Sequence, residues 1–138
     1  MDPLTALSVA ASVVQFVSYG SELVSKSREL YKSAHGTLTE NAEIEEASKR
    51  LQEMTAPLQG IQGDQILEQI CSGCVEVSRE LVQRLDNLKV PEDHRHKKWK
   101  SFRQALKSVI GKSKIDEIEG RLHGFRMELD THVLLGLR

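Results

Sequence analysis

The residue types best suited to chemistry in this 138-residue chain are two cysteines, five histidines and a block of lysines and arginines. Cys71-Ser72-Gly73-Cys74 has the CxxC spacing of redox and zinc sites. A structural zinc needs four ligands at suitable spacing. The nearest second pair is His94-x-His96, nineteen residues on, and a single residue between histidines fits no common zinc module. A thioredoxin-type dithiol sits at a helix start beside a sheet. Here the motif falls inside an apolar, helix-periodic stretch with Cys74 on its inner line, so a buried structural role is expected. Gly111-Lys112-Ser113 matches the tail of a phosphate-binding loop, but Leu106 stands where that motif needs its first glycine. A helix stop followed by a cap is the better reading. His35, His123 and His132 are scattered, and no Ser/His/Asp arrangement has supporting turn chemistry. The expectation is a chain with no catalytic residue, no cofactor and no metal, and so not an enzyme.

Two features remain. Residues 94 to 114 hold eight basic residues and no acid: Arg95, Lys97, Lys98, Lys100, Arg103, Lys107, Lys112 and Lys114, surrounding Trp99 and Phe102. Such a cationic amphipathic stretch suits an anionic lipid surface or an acidic partner. Equally, it is a solvated face that balances residues 40 to 68, where seven acids stand against Lys49 and Arg50. A pI of about 6.5 argues against nucleic acid as the partner. The second feature is the stretch from Pro3 to Ser21, nineteen residues without a charge. As a helix it would span roughly 28 Å, close to the hydrocarbon core of a bilayer. Thr5, Ser8, Ser12, Gln15, Tyr19, Glu22 and Lys26 recur along one side at spacings of three and four. That polar stripe favours a bundle helix at rest over a constitutive membrane span.

The elements that position these features are helical throughout. Aromatic residues are only 4% of the chain, which disfavours sandwiches and barrels. No strand alternation, internal repeat or low-complexity linker interrupts the pattern. Asp2 as N-cap with Pro3 at the first helical position opens a helix over about 3–34, stopped by His35-Gly36. Thr37 and Glu40 form a capping box for a second helix, about 38–58, with Ile44, Ala47, Leu51, Met54 and Leu58 inward and Pro57 ending or kinking it near Ala56. Asp64 caps a third, about 65–89, with Ile66, Ile70, Cys74, Val77, Leu81, Leu85 and Leu88 on its inner side. A fourth, about 97–110, uses Trp99, Phe102, Leu106 and Val109/Ile110 and stops at Gly111. Ser113 with Asp116 caps a fifth, about 114–135, carrying Ile115, Ile118, Leu122, Phe125, Leu129 and Val133; the last two are alternatively one helix with a weak point at Gly111. The fold expected is all-α, one domain over 1–138: an antiparallel four- to five-helix bundle with a long N-terminal helix. Met1-Asp2-Pro3-Leu4 has no basic n-region, so no secretory signal is expected and the cytoplasm, with reduced cysteines, is the expected compartment.

The opening Met1-Asp2-Pro3-Leu4-Thr5-Ala6-Leu7-Ser8-Val9-Ala10-Ala11-Ser12-Val13-Val14-Gln15-Phe16 resembles the start of many fungal NOD-like receptors of the STAND class. The similarity continues through Tyr19-Gly20, Leu23 and Ser27-Arg28-Glu29-Leu30-Tyr31. It returns at Trp99-Lys100-Ser101-Phe102-Arg103-Gln104-Ala105-Leu106, at Gly120-Arg121-Leu122 and through Phe125-Arg126. The resemblance implies a HeLo-like helical effector domain with a NACHT or related nucleotide-binding module downstream in the same chain. It further implies self-association in cell death or innate immunity, with recruitment from the cytoplasm to a membrane on activation. On that reading Leu4, Leu7, Ala11, Val14 and Val17 belong to the membrane-engaging helix, and Arg95, Lys97, Lys98, Lys100 and Arg103 attract lipid headgroups. The alternative is a soluble adaptor bundle that docks a partner protein and never touches lipid.

Overall fold

The structure, a computed structural model, describes residues 2–32, 41–86 and 112–136. These form four α-helices and one 3-10 turn: α1 (Pro3–Lys32), α2 (Asn41–Thr55), the turn Ala56–Leu58, α3 (Gln65–Asp86) and α4 (Lys112–Gly136). The all-helical bundle with a long N-terminal helix is the expected fold. α1 and α3 each pack against all three other helices, α1 most extensively against α4 and α3 most extensively against α2.

Local chemistry starts α1 and α3. The Thr5 N–H donates to Asp2 Oδ1 at 2.9 Å and the Ala6 N–H to the Asp2 carbonyl at 3.0 Å. The first satisfies an otherwise orphaned donor of the first turn, and the second is the first intrahelical bond. The Thr5 hydroxyl adds a bond to the same carboxylate, and both contacts hold the Asp2 carboxyl below its ordinary value. Asp64 does the same for α3, accepting from the Leu67 N–H at 3.1 Å while its carbonyl accepts from the Glu68 N–H at 2.8 Å. Between α2 and α3 the chain turns through Gly60 and Gly63, whose φ of 71° and 104° lie in the region glycine adopts without strain.

One apolar core joins the helices. It takes Val9, Val13, Phe16, Val17 and Val24 from α1, and Leu51 from α2 with Leu58 from the turn. Leu67, Ile70, Cys71, Cys74, Val77 and Leu81 come from α3, and Ile115, Ile118, Leu122 and Leu129 from α4. Where α1 meets α4 the approach is close. A Cβ added at Gly20 would lie 3.2 and 3.3 Å from the two Leu122 methyls. At the α2–α3 seam two buried hydroxyls share one acceptor: Thr55 Oγ1 donates to the Leu51 carbonyl at 2.9 Å and Ser78 Oγ reaches the same oxygen at 3.4 Å. Buried hydroxyls without partners would be costly, and this arrangement satisfies both.

Several sequence expectations shift. α1 is described through Lys32, and its expected end near 34 lies outside the described residues; α2 ends at Thr55 rather than 58, with Pro57 inside the 3-10 turn that follows, in keeping with the break expected near Ala56. Ser113 lies within the first turn of α4 and is not its cap, because the helix already begins at Lys112. Ile66, expected inward, is 43% exposed; Leu67 takes its place, since the buried stripe of α3 runs through 67, 70, 71, 74, 77, 78 and 81 and leaves residue 66 on its edge. Residues 33–40, with His35 and the Thr37/Glu40 box, lie outside the described residues, as do residues 87–111, with Leu88, the expected 97–110 helix and its stop at Gly111.

Candidate functional site

α1 has three sides. At about 100° per residue, Val9, Val13, Phe16, Gly20 and Val24 share one side, and all five are buried in the bundle. The polar stripe lies next to it: Thr5, Ser8, Gln15, Glu22 and Lys26 are exposed, with Ser12 and Tyr19 half-buried. Tyr19 is covered because the Arg50 guanidinium of α2 stands 4.8 Å above its ring, a cation–π contact across the α1–α2 seam. The third side is apolar and faces outward: Leu4 is 80% exposed, Leu7 58%, and Ala11 is exposed beside them. Val14 is half-buried at its border and Val17 is buried. The five apolar residues singled out in the sequence thus divide between solvent and core, three outward, one intermediate and one inward.

Exposed Ser8, Gln15 and Ser18 border the outward side, and two neighbouring hydroxyls are bonded within the helix. The Ser12 hydroxyl donates to the Ser8 carbonyl at 3.1 Å, and the Thr5 hydroxyl to Asp2 at 2.6 Å. Pro3–Lys26 is long and apolar enough to cross a membrane by length and composition, alone in this among the helices of the described residues. A third of its most apolar window is buried in the bundle.

The other candidates divide differently. Cys71 and Cys74 are free thiols at 1% and 0% exposure. Burial pushes them up to about 11 and about 12; at Cys74 the neighbouring Cys71 adds to the rise and Arg121 opposes it. They therefore sit as neutral apolar fillers, as the spacing suggested. No group of three or more His, Cys, Asp or Glu is placed to hold a metal among the described residues. His123 is exposed. His132 was not expected to matter, yet its Nε2 lies 2.7 Å from Asp64 Oδ2, joining the end of α4 to the start of α3. An ionised carboxylate only accepts, so that ring nitrogen carries the proton. The Leu67 N–H and the His132 ring hold the Asp64 carboxyl below the usual carboxylate range.

Of the basic run, Arg95, Lys97, Lys98, Lys100, Arg103 and Lys107 lie outside the described residues. Lys114 is exposed and paired on the bundle surface, 3.4 Å from Glu117 and 3.8 Å from Glu80 of α3. Arg121, further along α4, adds contacts to Glu76 at 3.2 Å and Glu80 at 3.9 Å of α3. A groove of about 530 Å³ between α2 and α3 is bordered by Gln52, Gln59, Arg79 and Gln83. It offers amides, a guanidinium and the Asp86 carboxylate to a ligand, and the Thr55 and Ser78 hydroxyls at its floor are engaged with the Leu51 carbonyl.

No family model, curated protein or solved structure matches this chain.

Proposed function

We propose that this chain is the N-terminal effector domain of a fungal NOD-like receptor, a cytoplasmic signalling bundle that acts by self-association and membrane engagement. The observation that carries the membrane half is the outward side of α1, where Leu4 and Leu7 face solvent within a helix that has no charge from Pro3 to Ser21. Large apolar side chains held in water on an otherwise well-packed bundle favour a surface that takes them up. The resemblance of residues 1–16, 19–31, 99–106 and 120–126 to such receptors supports the signalling half. In this reading Arg95, Lys97, Lys98, Lys100 and Arg103 draw the domain to anionic headgroups, each contributing on the order of 1 kcal/mol near such a surface.

The test is vesicle flotation and dye leakage, with and without phosphatidylserine, on the chain alone and on the chain fused to an inducible oligomeriser. The expected result is flotation that strengthens with anionic lipid, and leakage on induced clustering. Absence of both binding and leakage after forced oligomerisation would sink the proposal. An adaptor bundle gives a different pattern: charge reversal at Lys97, Lys98 and Lys100 abolishes a protein complex and leaves lipid behaviour flat.

A further inference from the structure

The outward stripe and the core face of α1 lie on opposite sides of the helix, so one can be occupied without disturbing the other. We infer that the domain docks on a lipid surface as an intact bundle, with Leu4, Leu7 and Ala11 entering the membrane while Val9, Val13 and Phe16 stay packed. This rests on the membrane reading above and specifies how the first contact is made.

Three observations carry it. The separation of faces is nearly complete: Val13 and Phe16 are both 0% exposed while Leu4 is 80% exposed, within four turns of one helix. Two polar groups flanking the stripe are already bonded within the helix, Thr5 to Asp2 and Ser12 to the Ser8 carbonyl, while the exposed Ser8 and Gln15 side chains can stay in the hydrated headgroup layer. Moving that side from water into the headgroup region leaves few donors stranded. The stripe is also too small to be a stable contact between copies of this chain. Two leucines and an alanine offer a small fraction of the roughly 800 Å² per partner of a standard interface. A lipid surface has no such threshold, because it needs no complementary shape. The Asp2 carboxylate, bonded to the first turn, holds the helix start without placing a free charge on the stripe.

The two native thiols supply an internal reporter. Cys71 and Cys74 are the only cysteines and lie fully buried in the same core as Phe16 and Val13, so departure of α1 would open a path to them. The full chain is floated with phosphatidylcholine vesicles containing phosphatidylserine, and thiol reaction with a membrane-impermeant reagent is followed on the bound fraction. The expected result is flotation with thiols as slow as in the free chain, and a loss of binding of about tenfold or more in Leu4→Ser/Leu7→Ser with its melting temperature unchanged. Flotation accompanied by rapid thiol reaction would overturn the inference and leave the membrane reading standing, since α1 would then have left the bundle. A double variant that floats like the parent overturns it as well. If the parent chain does not float, clustered or not, both readings fall. If the double variant instead converts a dimer to a monomer in sedimentation, the stripe is a contact between copies and the inference is wrong.

Discussion

The α1–α4 seam at Gly20 and Leu122 allows a sharp test of how α1 is held. Gly20→Ala adds one methyl to a buried helix interior, where alanine is favoured over glycine by about 1 kcal/mol. Against that, the new Cβ would stand 3.2 and 3.3 Å from the Leu122 methyls, tighter than ordinary packing allows. Crowding of this kind costs about 1–2 kcal/mol when neighbours must give by a few tenths of an ångström. The substitution should therefore be neutral to about 1 kcal/mol destabilising in the parent. Leu122→Ala alone removes a side chain that is 0% exposed and should cost about 2–5 kcal/mol. In that background the crowding vanishes and the added methyl fills part of the cavity, so Gly20→Ala should now stabilise by about 1 kcal/mol. The four chains form a double-mutant cycle with a favourable coupling of about 1–2 kcal/mol. Urea unfolding followed by far-UV circular dichroism measures it, provided the urea slopes agree among the variants. Additivity within about 0.5 kcal/mol would refute the close approach of α1 to α4 at this point.

Other expectations are simpler. Because Asp64 is held below its ordinary value of 3.8, its contribution is present above that value and is lost as pH falls through the lower, folded one. Asp64→Asn keeps a capping side chain but cannot titrate, so its unfolding midpoint should fall less steeply than the parent's below about pH 4; equal slopes in acid titration of stability would contradict this. Thr55→Val removes the buried hydroxyl that bonds the Leu51 carbonyl while keeping the shape, and should cost about 0.5–1.5 kcal/mol in the same urea assay. Cys71 and Cys74, pushed up to about 11 and about 12, should react with a thiol reagent at pH 8 far more slowly in the folded chain than in urea; comparable rates would mean the core is open.

Much of the fold is readable along the chain because most helices have one apolar stripe. Ile44, Ala47 and Leu51 on α2, Leu58 in the turn after it, and Ile115, Ile118, Leu122 and Leu129 on α4 fall inward by spacing and are buried. The caps at Asp2 and Asp64 follow from local chemistry and are made as expected. α1 is different. Without charges to mark a solvent side, Leu7 and Ala11 satisfy helical spacing as well as Val9 and Val13 do, and only the packing of α3 and α4 decides which pair is covered. Thr55 and Ser78 are buried although spacing marks them as polar, because their hydroxyls share the Leu51 carbonyl at the α2–α3 seam. The Asp64–His132 contact joins residues 68 apart, a separation that no local pattern reports.

The same three-sidedness of α1 sets the energetic order of any membrane action. Lifting α1 out of the bundle exposes Val9, Val13, Phe16, Val17 and Val24. At about 1.5–3 kcal/mol for each buried side chain, the loss is on the order of 10 kcal/mol before a lipid regains any of it. The outward stripe risks nothing of the core, and two leucines return about 3 kcal/mol on entering an apolar layer. Docking is thus within reach of a single domain, whereas release of α1 is comparable to the whole stability expected of a bundle this size. Clustering changes that balance, because linked domains bind the same surface with an affinity multiplied by their effective concentration. Vesicle leakage should accordingly appear only after induced oligomerisation, while flotation is already measurable in the monomer. In the loosened Leu122→Ala background, leakage should need less oligomeriser than in the parent. Leakage from the unclustered parent at the protein concentration that first gives flotation would refute this ordering.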